Sequence, residues 1–133
     1  MQFVLVHGAY GSPEGNWFSE LRSDLESLGQ TVIVPKFPVE SWNDVVKKGP
    51  NGKPQNQSLD AWFATFEKDG LPKLSSKEKL VFVGHSLGPV FILHVVEKYN
   101  LQLDCAIFVS PFMDAIGLWE FDLVNKTFYK TDF

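Results

Sequence analysis

The segment Lys79–Tyr99, KLVFVGHSLGPVFILHVVEKY, joins an apolar run, a serine flanked by glycines and a helical pattern without interruption. The run Leu80–Val83 is typical of a strand that is buried on both faces of a parallel sheet. From Leu87 to Tyr99 the apolar residues recur at the spacing of a helix. The sequence therefore predicts a strand, a sharp turn that carries Ser86, and a helix.

Within this segment, GHSLG (Gly84–Gly88) matches the G-x-S-x-G pattern of a nucleophile elbow. The serine backbone in such a turn is strained, and Gly84 and Gly88 avoid collisions with the adjacent strand and helix. The pattern alone is weak evidence, but its position between a buried strand and a helix makes it specific. We interpret Ser86 as a nucleophile; the alternative is a serine that only begins the helix.

A nucleophilic serine needs backbone N–H groups aimed at the oxyanion that forms when its hydroxyl attacks a carbonyl. Leu87 supplies one at the helix start, where amides are unpaired and the helix dipole favours negative charge. The second is expected from Ala9 in the HGAYG loop after the first strand, where Gly8 lets the backbone come close. Tyr10 and His85 are candidates for lining a substrate pocket.

The rest of the chain alternates strands and helices, which predicts a parallel sheet covered by helices on both sides. The predicted strands are Gln2–Val6, Thr31–Val34, Leu80–Val83 and Cys105–Val109. The first predicted helix is capped by Asn16, has Leu28 among the residues of its apolar face and ends at Gly29; the second is capped by Ser58, and the third covers Leu87–Tyr99. Residues 43–57 are expected to form a surface loop, and the chain beyond Pro111 to hold at most one short helix. We predict one domain over residues 1–133, a three-layer, doubly wound parallel α/β sheet.

The strand order decides where a ligand crevice would lie. If the order is two, one, three, four, the order reverses between the first and third strands, and the crevice opens at their carboxyl ends. Ala9 and Ser86 would then be side by side, although they are far apart in the sequence.

The 133 residues carry a net charge of −4 and no basic cluster longer than Lys47–Lys48, which argues against nucleic acid or an anionic membrane as partner. No apolar segment approaches the ~20 residues that span a bilayer. The one cysteine, Cys105, can form no intramolecular disulfide, and its apolar surroundings favour a packed thiol. We expect a cytoplasmic protein without a metal that acts on a small neutral or amphipathic molecule.

The chain offers no evident base for Ser86. His94 lies eight residues further along a helix, about 12 Å away, which is too far for a hydrogen bond. The side chain of His85 should diverge from its neighbour in a tight turn, and His7 is better suited to holding its own loop. Asp114 could reach the crevice, but no histidine is predicted between it and the serine.

Three stretches of this sequence resemble, in order and spacing, the small serine hydrolases of the retinoblastoma-binding protein 9 and YdeN type. They are FVLVHGAYGSPEGNWFSELRSDLESLGQTVIVPKFP, SLDAWFATF and LVFVGHSLGPVFILHVVEKY. The resemblance implies an α/β-hydrolase fold without a large lid, no cofactor, and a Ser-Asp-His triad. It assigns the nucleophile to Ser86 and the oxyanion N–H groups to Leu87 and Ala9.

The same resemblance implies that the triad Asp and His follow two further strands, so that the chain corresponds to the N-terminal three quarters of such a domain and lacks its C-terminal strands. Two functions therefore remain open. One is a serine hydrolase that cleaves a small ester or amide, and the other is a catalytically silent binding module that keeps the elbow as a turn. Without later strands Cys105–Val109 would be an unprotected apolar sheet edge, so we expect either a longer product or a form stabilised by self-association.

Overall fold

The computed structural model describes residues 1–133, and its strands and helices alternate as the sequence predicts. The strands are β1 (Gln2–Val6), β2 (Thr31–Ile33), β3 (Leu80–His85) and β4 (Cys105–Val109). The helices are α1 (Phe18–Ser27), α2 (Trp42–Lys48), α3 (Leu59–Asp69), α4 (Gly88–Tyr99) and α5 (Trp119–Asn125), with a 3₁₀ turn at Leu71–Lys73. No helix is long and apolar enough to cross a membrane.

The four strands form one parallel sheet in the order β2-β1-β3-β4, which confirms the predicted order. In the centre, Val6 of β1 is opposite Gly84 of β3, which in turn is opposite Phe108 of β4. β3 runs two residues beyond its predicted end because His85 still pairs with Val109. The carboxyl ends of β1, β3 and β4 therefore meet at one edge of the sheet, where such folds bind ligands.

Helices cover both faces of the sheet, so the predicted three-layer arrangement is confirmed. On one face α3 and α4 bury a cluster of aromatic side chains against β1 and β3, among them Trp62, Phe66 and Phe91. On the other face Phe18 of α1 packs against Leu5, Val81 and Val83. β1 and β3 are apolar on both faces because each lies between two helical layers.

The first helix starts later than predicted. Asn16 does not cap it: its φ is 51°, in the left-handed region, and the helix begins at Phe18 without a side-chain cap. Leu28, expected on the buried face, is 72 % exposed because it follows the last helical residue. Gly29 does end the helix in the left-handed conformation, with φ 74°, as predicted.

The prediction of a loop over residues 43–57 is wrong for its first half, which contains most of α2. Ser41 caps this helix, since its Oγ accepts the N–H of Asp44. Gly49, with φ 75°, ends it. The helix has only one buried residue, Val45, so its apolar periodicity was too sparse to stand out from a loop.

The second half of that stretch is a loop fixed by one buried carboxylate. Glu40 is only 5 % exposed, and its Oε1 accepts backbone N–H groups from three consecutive residues, Gln55, Asn56 and Gln57. The distances from Oε1 to the Gln55 and Gln57 nitrogens are 2.6 and 3.1 Å. A single side chain thus holds the loop against the body of the domain.

β4 is an open sheet edge, and its residues are exposed rather than buried. Its outer side pairs with no strand, and Ile107 is 47 % exposed. The predicted packed thiol of Cys105 is therefore wrong, because the residue lies exposed on this edge. Between α1 and β4 an apolar groove of about 410 Å³ is lined by Phe3, Trp17, Leu21, Leu25, Val83, Ile107 and Val109.

Candidate active site

Three strained turns lie together at the carboxyl edge of the sheet. Tyr10, Ser86 and Ser110 follow β1, β3 and β4 and have φ values of 57°, 58° and 50°. These are three of the five non-glycine residues with positive φ in the chain. Such backbones cost about 1–3 kcal/mol each and cluster at functional sites. The crevice predicted from the strand order is thus where the chain concentrates its strain.

Ser86 occupies the turn between β3 and α4. Its N–H donates to the Val109 carbonyl oxygen at 3.0 Å, which continues the β3–β4 ladder by one residue and fixes the turn. Its Oγ makes no hydrogen bond within the protein, and the residue is half-buried. The elbow therefore presents a free hydroxyl at the edge of the sheet.

Three glycines around Ser86 are required by close contacts. A Cβ on Gly8 would lie 2.8 Å from the Ser86 Cβ and 3.2 Å from its Oγ. A Cβ on Gly84 would be 2.8 Å from the Pro89 nitrogen, and one on Gly88 would collide with the Val6 carbonyl oxygen. Because these three residues have no side chain, the HGAYG loop, β1 and the start of α4 can pack closely around the serine.

The backbone amides of Ala9 and Leu87 donate no hydrogen bond within the protein. Leu87 is fully buried, and buried N–H groups without a partner are rare. Ala9 lies in a turn closed by the Gly11 N–H, which donates to the Gly8 carbonyl oxygen at 3.1 Å. The loop that carries Ala9 is in contact with Ser86 through Gly8, so both unpaired amides belong to the same crevice.

His7 is a structural residue of this crevice. The Phe37 N–H donates to its Nε2 at 3.2 Å, which leaves Nδ1 as the protonated nitrogen that donates to the Gly8 carbonyl oxygen at 2.9 Å. The ring is 1 % exposed, and burial lowers the pKa of His7. Both nitrogens are occupied and the ring is neutral, so it holds the loop, as the sequence predicted.

Tyr10 and His85, the two candidates for lining a substrate pocket, contact different helices. The Tyr10 hydroxyl donates to the Glu120 carbonyl oxygen, and burial raises the pKa of Tyr10 to about 12. His85 is half-buried at the end of β3, with its ring 5.9 Å from that of Trp17, the residue directly before α1. The side chains point toward different helical layers, Tyr10 toward α5 and His85 toward α1.

The other candidates for a proton-transfer partner do not contact the serine. His94 is buried on α4, where its Nε2 is 2.8 Å from the Phe128 carbonyl oxygen. Asp114 accepts the N–H of Ala115 within its own turn. Within residues 1–133, no histidine or carboxylate hydrogen-bonds to Ser86.

No group of three or more His, Cys, Asp or Glu side chains is arranged to hold a metal ion. The largest cavity, of about 580 Å³, lies at the amino-terminal end of the sheet, where Leu80 of β3 and Asp104 before β4 contribute to its walls. It opens on the side of the sheet opposite Ser86 and is separate from the crevice.

One feature of the site was not predicted, because it joins residues that are distant in the sequence. The ring of Tyr10 packs edge-on against Trp42 at the start of α2 and Phe121 in α5, with centroid distances of 5.2 and 5.4 Å. The HGAYG loop is therefore in contact with both helices. The aromatic residues were visible in the sequence, but their pairing required α2, which was not recognised.

The chain is similar in sequence and in fold to known proteins. The sequence model of a family described as serine hydrolase matches residues 3–126. Methyl jasmonate esterase 1 of Vitis vinifera is 31 % identical over 114 residues, which are 84 % of this chain and 39 % of that protein. Salicylic acid-binding protein 2 of Nicotiana tabacum is 30 % identical over 113 residues, with the same coverage of 84 % and 39 %.

Among solved structures, the ydeN gene product from B. subtilis superposes with a TM-score of 0.62 at 24 % identity, covering 92 % of this chain and 59 % of that one. This likeness establishes the α/β-hydrolase type of fold. The chain spans about two fifths of the length of the two curated relatives. The likeness to retinoblastoma-binding protein 9 stays a prediction from the sequence.

Proposed function

This chain belongs to the serine hydrolase family, and on that premise we propose that Ser86 attacks the carbonyl carbon of a small ester or amide. The Ser86 Oγ forms a bond to that carbon, and the carbonyl π electrons move onto the oxygen. The Leu87 and Ala9 N–H groups stabilise the resulting oxyanion. The carbonyl then re-forms, and the alcohol or amine leaves with a proton, giving an acyl-enzyme that water hydrolyses.

The observation that carries this proposal is the pairing of a free hydroxyl with two free amides. Ser86 Oγ has no hydrogen-bond partner, and the N–H groups of Ala9 and Leu87 have none either. A serine that only began a helix would not require strained backbone at φ 58° or a glycine pressed against its Cβ. Oxyanion stabilisation in such sites is worth about 10²–10³ in rate for each donor.

An ester is the favoured substrate class. Methyl jasmonate esterase 1, which is 31 % identical over 114 residues, is an esterase by name. We propose that Tyr10 and His85 line the pocket that takes the acyl or alcohol group. We propose no cofactor, since every step above uses backbone amides and side-chain oxygen.

The hydroxyl proton needs a base, and none of the three histidines contacts Ser86. We propose that the whole protein supplies it as the family resemblance implies, from a histidine oriented by a carboxylate. Asp114 and His7 are not substitutes, because both are engaged in their own loops.

The absent base also supports the second candidate, a catalytically silent α/β-hydrolase-fold binding module. In that case the elbow is a structural turn, and the free amides bind a carbonyl or carboxylate without reaction. The two candidates differ in one measurable property, the reactivity of Ser86 toward an electrophile.

Labelling with a fluorophosphonate tests the proposal. We expect the 133-residue chain to label slowly at Ser86, because the oxyanion donors alone leave residual catalysis even without a triad. Ser86→Ala should not label, and Ser12→Ala, which changes a serine in the β1–α1 loop outside the elbow, should label as the wild type does. Mass spectrometry of the labelled peptide is the measurement. Equal labelling of the wild type and Ser86→Ala would favour the silent module.

For partners, we propose a small-molecule substrate and neither nucleic acid nor membrane, on the grounds of charge and hydropathy given by the sequence. We also propose that the chain self-associates through the edge of β4, where an uncharged strand and an apolar groove are exposed together. A cytoplasmic location stays a prediction from the sequence.

A further inference from the structure

The loop that carries Ala9 is anchored by a side chain rather than by its own backbone. Only one backbone hydrogen bond, from the Gly11 N–H to the Gly8 carbonyl oxygen, closes the turn. Tyr10, in the middle of it, has φ 57°, a conformation that costs an ordinary residue about 1–2 kcal/mol. A strained residue of this kind persists only where its surroundings determine its position.

The surroundings of Tyr10 come from two elements on the far side of the crevice. Its hydroxyl donates to the Glu120 carbonyl oxygen in α5, 110 residues later in the sequence. Its ring packs edge-on against Trp42 and Phe121, which also contact each other with centroids 5.8 Å apart. Three contacts therefore fix this side chain from α2 and α5.

We propose that Tyr10 is a positioning residue that couples the oxyanion loop to α5, and so sets the direction of the Ala9 N–H. This inference rests on the proposed function, since the N–H matters only if an oxyanion forms. The Ala9 N–H lies in the Gly8–Ala9 peptide, one peptide unit before Tyr10, so a displacement of Tyr10 reaches that N–H through the Ala9 backbone. α5 thereby influences Ser86 chemistry without contacting the serine.

A conservative substitution separates this role from ordinary packing. Tyr10→Phe keeps the ring contacts with Trp42 and Phe121 and removes only the hydrogen bond to Glu120. Tyr129→Phe is the matched control, because the Tyr129 hydroxyl also anchors α5, through Asp122 Oδ1 at 2.7 Å, without touching the oxyanion loop. Both variants lose one tyrosine hydroxyl bonded to the same helix.

The first measurement is the rate of fluorophosphonate labelling of Ser86 as a function of probe concentration. We expect Tyr10→Phe to lower the maximal rate about 3- to 10-fold, the equivalent of one hydrogen bond, with little change in the half-saturating concentration. Tyr129→Phe should leave both values close to those of the wild type. A role in stability alone would affect the two variants equally.

The second measurement needs no reactivity. Hydrogen exchange of the amides in residues 9–11 should accelerate in Tyr10→Phe and stay unchanged in Tyr129→Phe, while both variants accelerate exchange in α5. If loop exchange is the same in the two variants, Tyr10 does not couple the loop to α5 and the inference is wrong. If the wild type fails to label but the loop exchange differs as expected, the proposed function fails and the coupling stands.

Discussion

Ser86 combines a left-handed backbone with a Cβ that touches the Gly8 backbone. Its φ of 58° is the conformation that glycine adopts freely and that other residues adopt only under constraint. The hydrogen bond from its N–H to the Val109 carbonyl oxygen and the close packing of Gly8 supply that constraint. The strained backbone of the elbow therefore lowers stability and serves to present the Ser86 hydroxyl.

This strain predicts an inverted order of stability between two inactive variants. Ser86→Gly should be more stable than Ser86→Ala by about 1 kcal/mol, because glycine relieves the left-handed conformation and alanine does not. Urea unfolding followed by tryptophan fluorescence measures the difference. At Ser27, in the last position of α1, the order should be the ordinary one, with alanine more stable than glycine. Equal stabilities of the two Ser86 variants would show that the turn is not strained.

Among the secondary-structure elements, the sequence predicts those whose apolar residues follow a clear periodic pattern. The strands β1, β3 and β4 are recognisable because their residues are apolar on both faces, as in a strand between two layers. The helices α3 and α4 are recognisable because their apolar residues recur at helical spacing. α2 was missed because it rests on the domain through one buried residue, Val45. The contact between Tyr10 and α5 could not be predicted, since nothing local links residues 110 positions apart.

The residues of the candidate site likewise divide into those that a sequence pattern predicts and those that it does not. Ser86, Gly84 and Gly88 could be proposed because an elbow has a fixed spacing and a fixed context of strand and helix, and Gly8 because its loop follows the first strand. The predicted strand order is confirmed, and it places the HGAYG loop against Ser86 through Gly8. The buried polar anchors, such as Glu40 and Gln57, carry no sequence signal, because a polar residue in a loop is expected to be exposed.

The loop that Glu40 holds should depend on pH. Burial acts to raise the pKa of Glu40, but the N–H groups of Asn56, Gln57 and Gln55, with the charge of Lys48, bring it below 4.5. A carboxylate with a lowered folded-state pKa contributes stability that is present above the unfolded-state pKa and lost as the pH falls through the folded-state value. The Glu40 contribution is therefore intact at pH 7 and declines below about pH 4.5.

Glu40→Gln tests this dependence. At pH 7 the variant should be less stable by about 1–2 kcal/mol, because the neutral amide oxygen accepts the three N–H groups less strongly. The difference should shrink as the pH is lowered below 4.5. Glu20→Gln, on the exposed side of α1, serves as control and should change little at either pH. Urea unfolding at several pH values is the measurement, and a constant gap would contradict the assignment.

For the whole molecule, the dominant feature is the asymmetry between the two edges of the sheet. β2 is short, at three residues, and only partly exposed. β4 has five residues without a charge, and exposes both its backbone edge and Ile107. Two copies can pair antiparallel around a two-fold axis at Ile107, so that Cys105 of each faces Val109 of the other. In this arrangement the unpaired backbone N–H and C=O groups of β4 in one copy hydrogen-bond to those of β4 in the other copy.

We therefore expect the 133-residue chain to form dimers whose population rises with concentration, as measured by sedimentation velocity. Ile107→Lys should shift the chain to the monomer, because a charge on an edge strand opposes pairing. Leu28→Lys, which introduces the same charge at an exposed aliphatic residue away from β4, should leave the dimer unchanged. Monomers at every concentration, or an equal effect of both substitutions, would refute pairing through β4.

The central position of β1 also has a consequence for how the chain folds. β1, which precedes the other strands of this chain, pairs with β2 and with β3, and its contact with β3 joins Gln2 to Leu80. Contacts that close about 80 residues of chain are slow to form, because loop entropy must be lost before they are gained. Until β3 has been synthesised, β1 can therefore pair only with β2. The pairing that completes the core also brings Gly8 to Ser86, so the crevice should appear late and in the same cooperative step as the sheet.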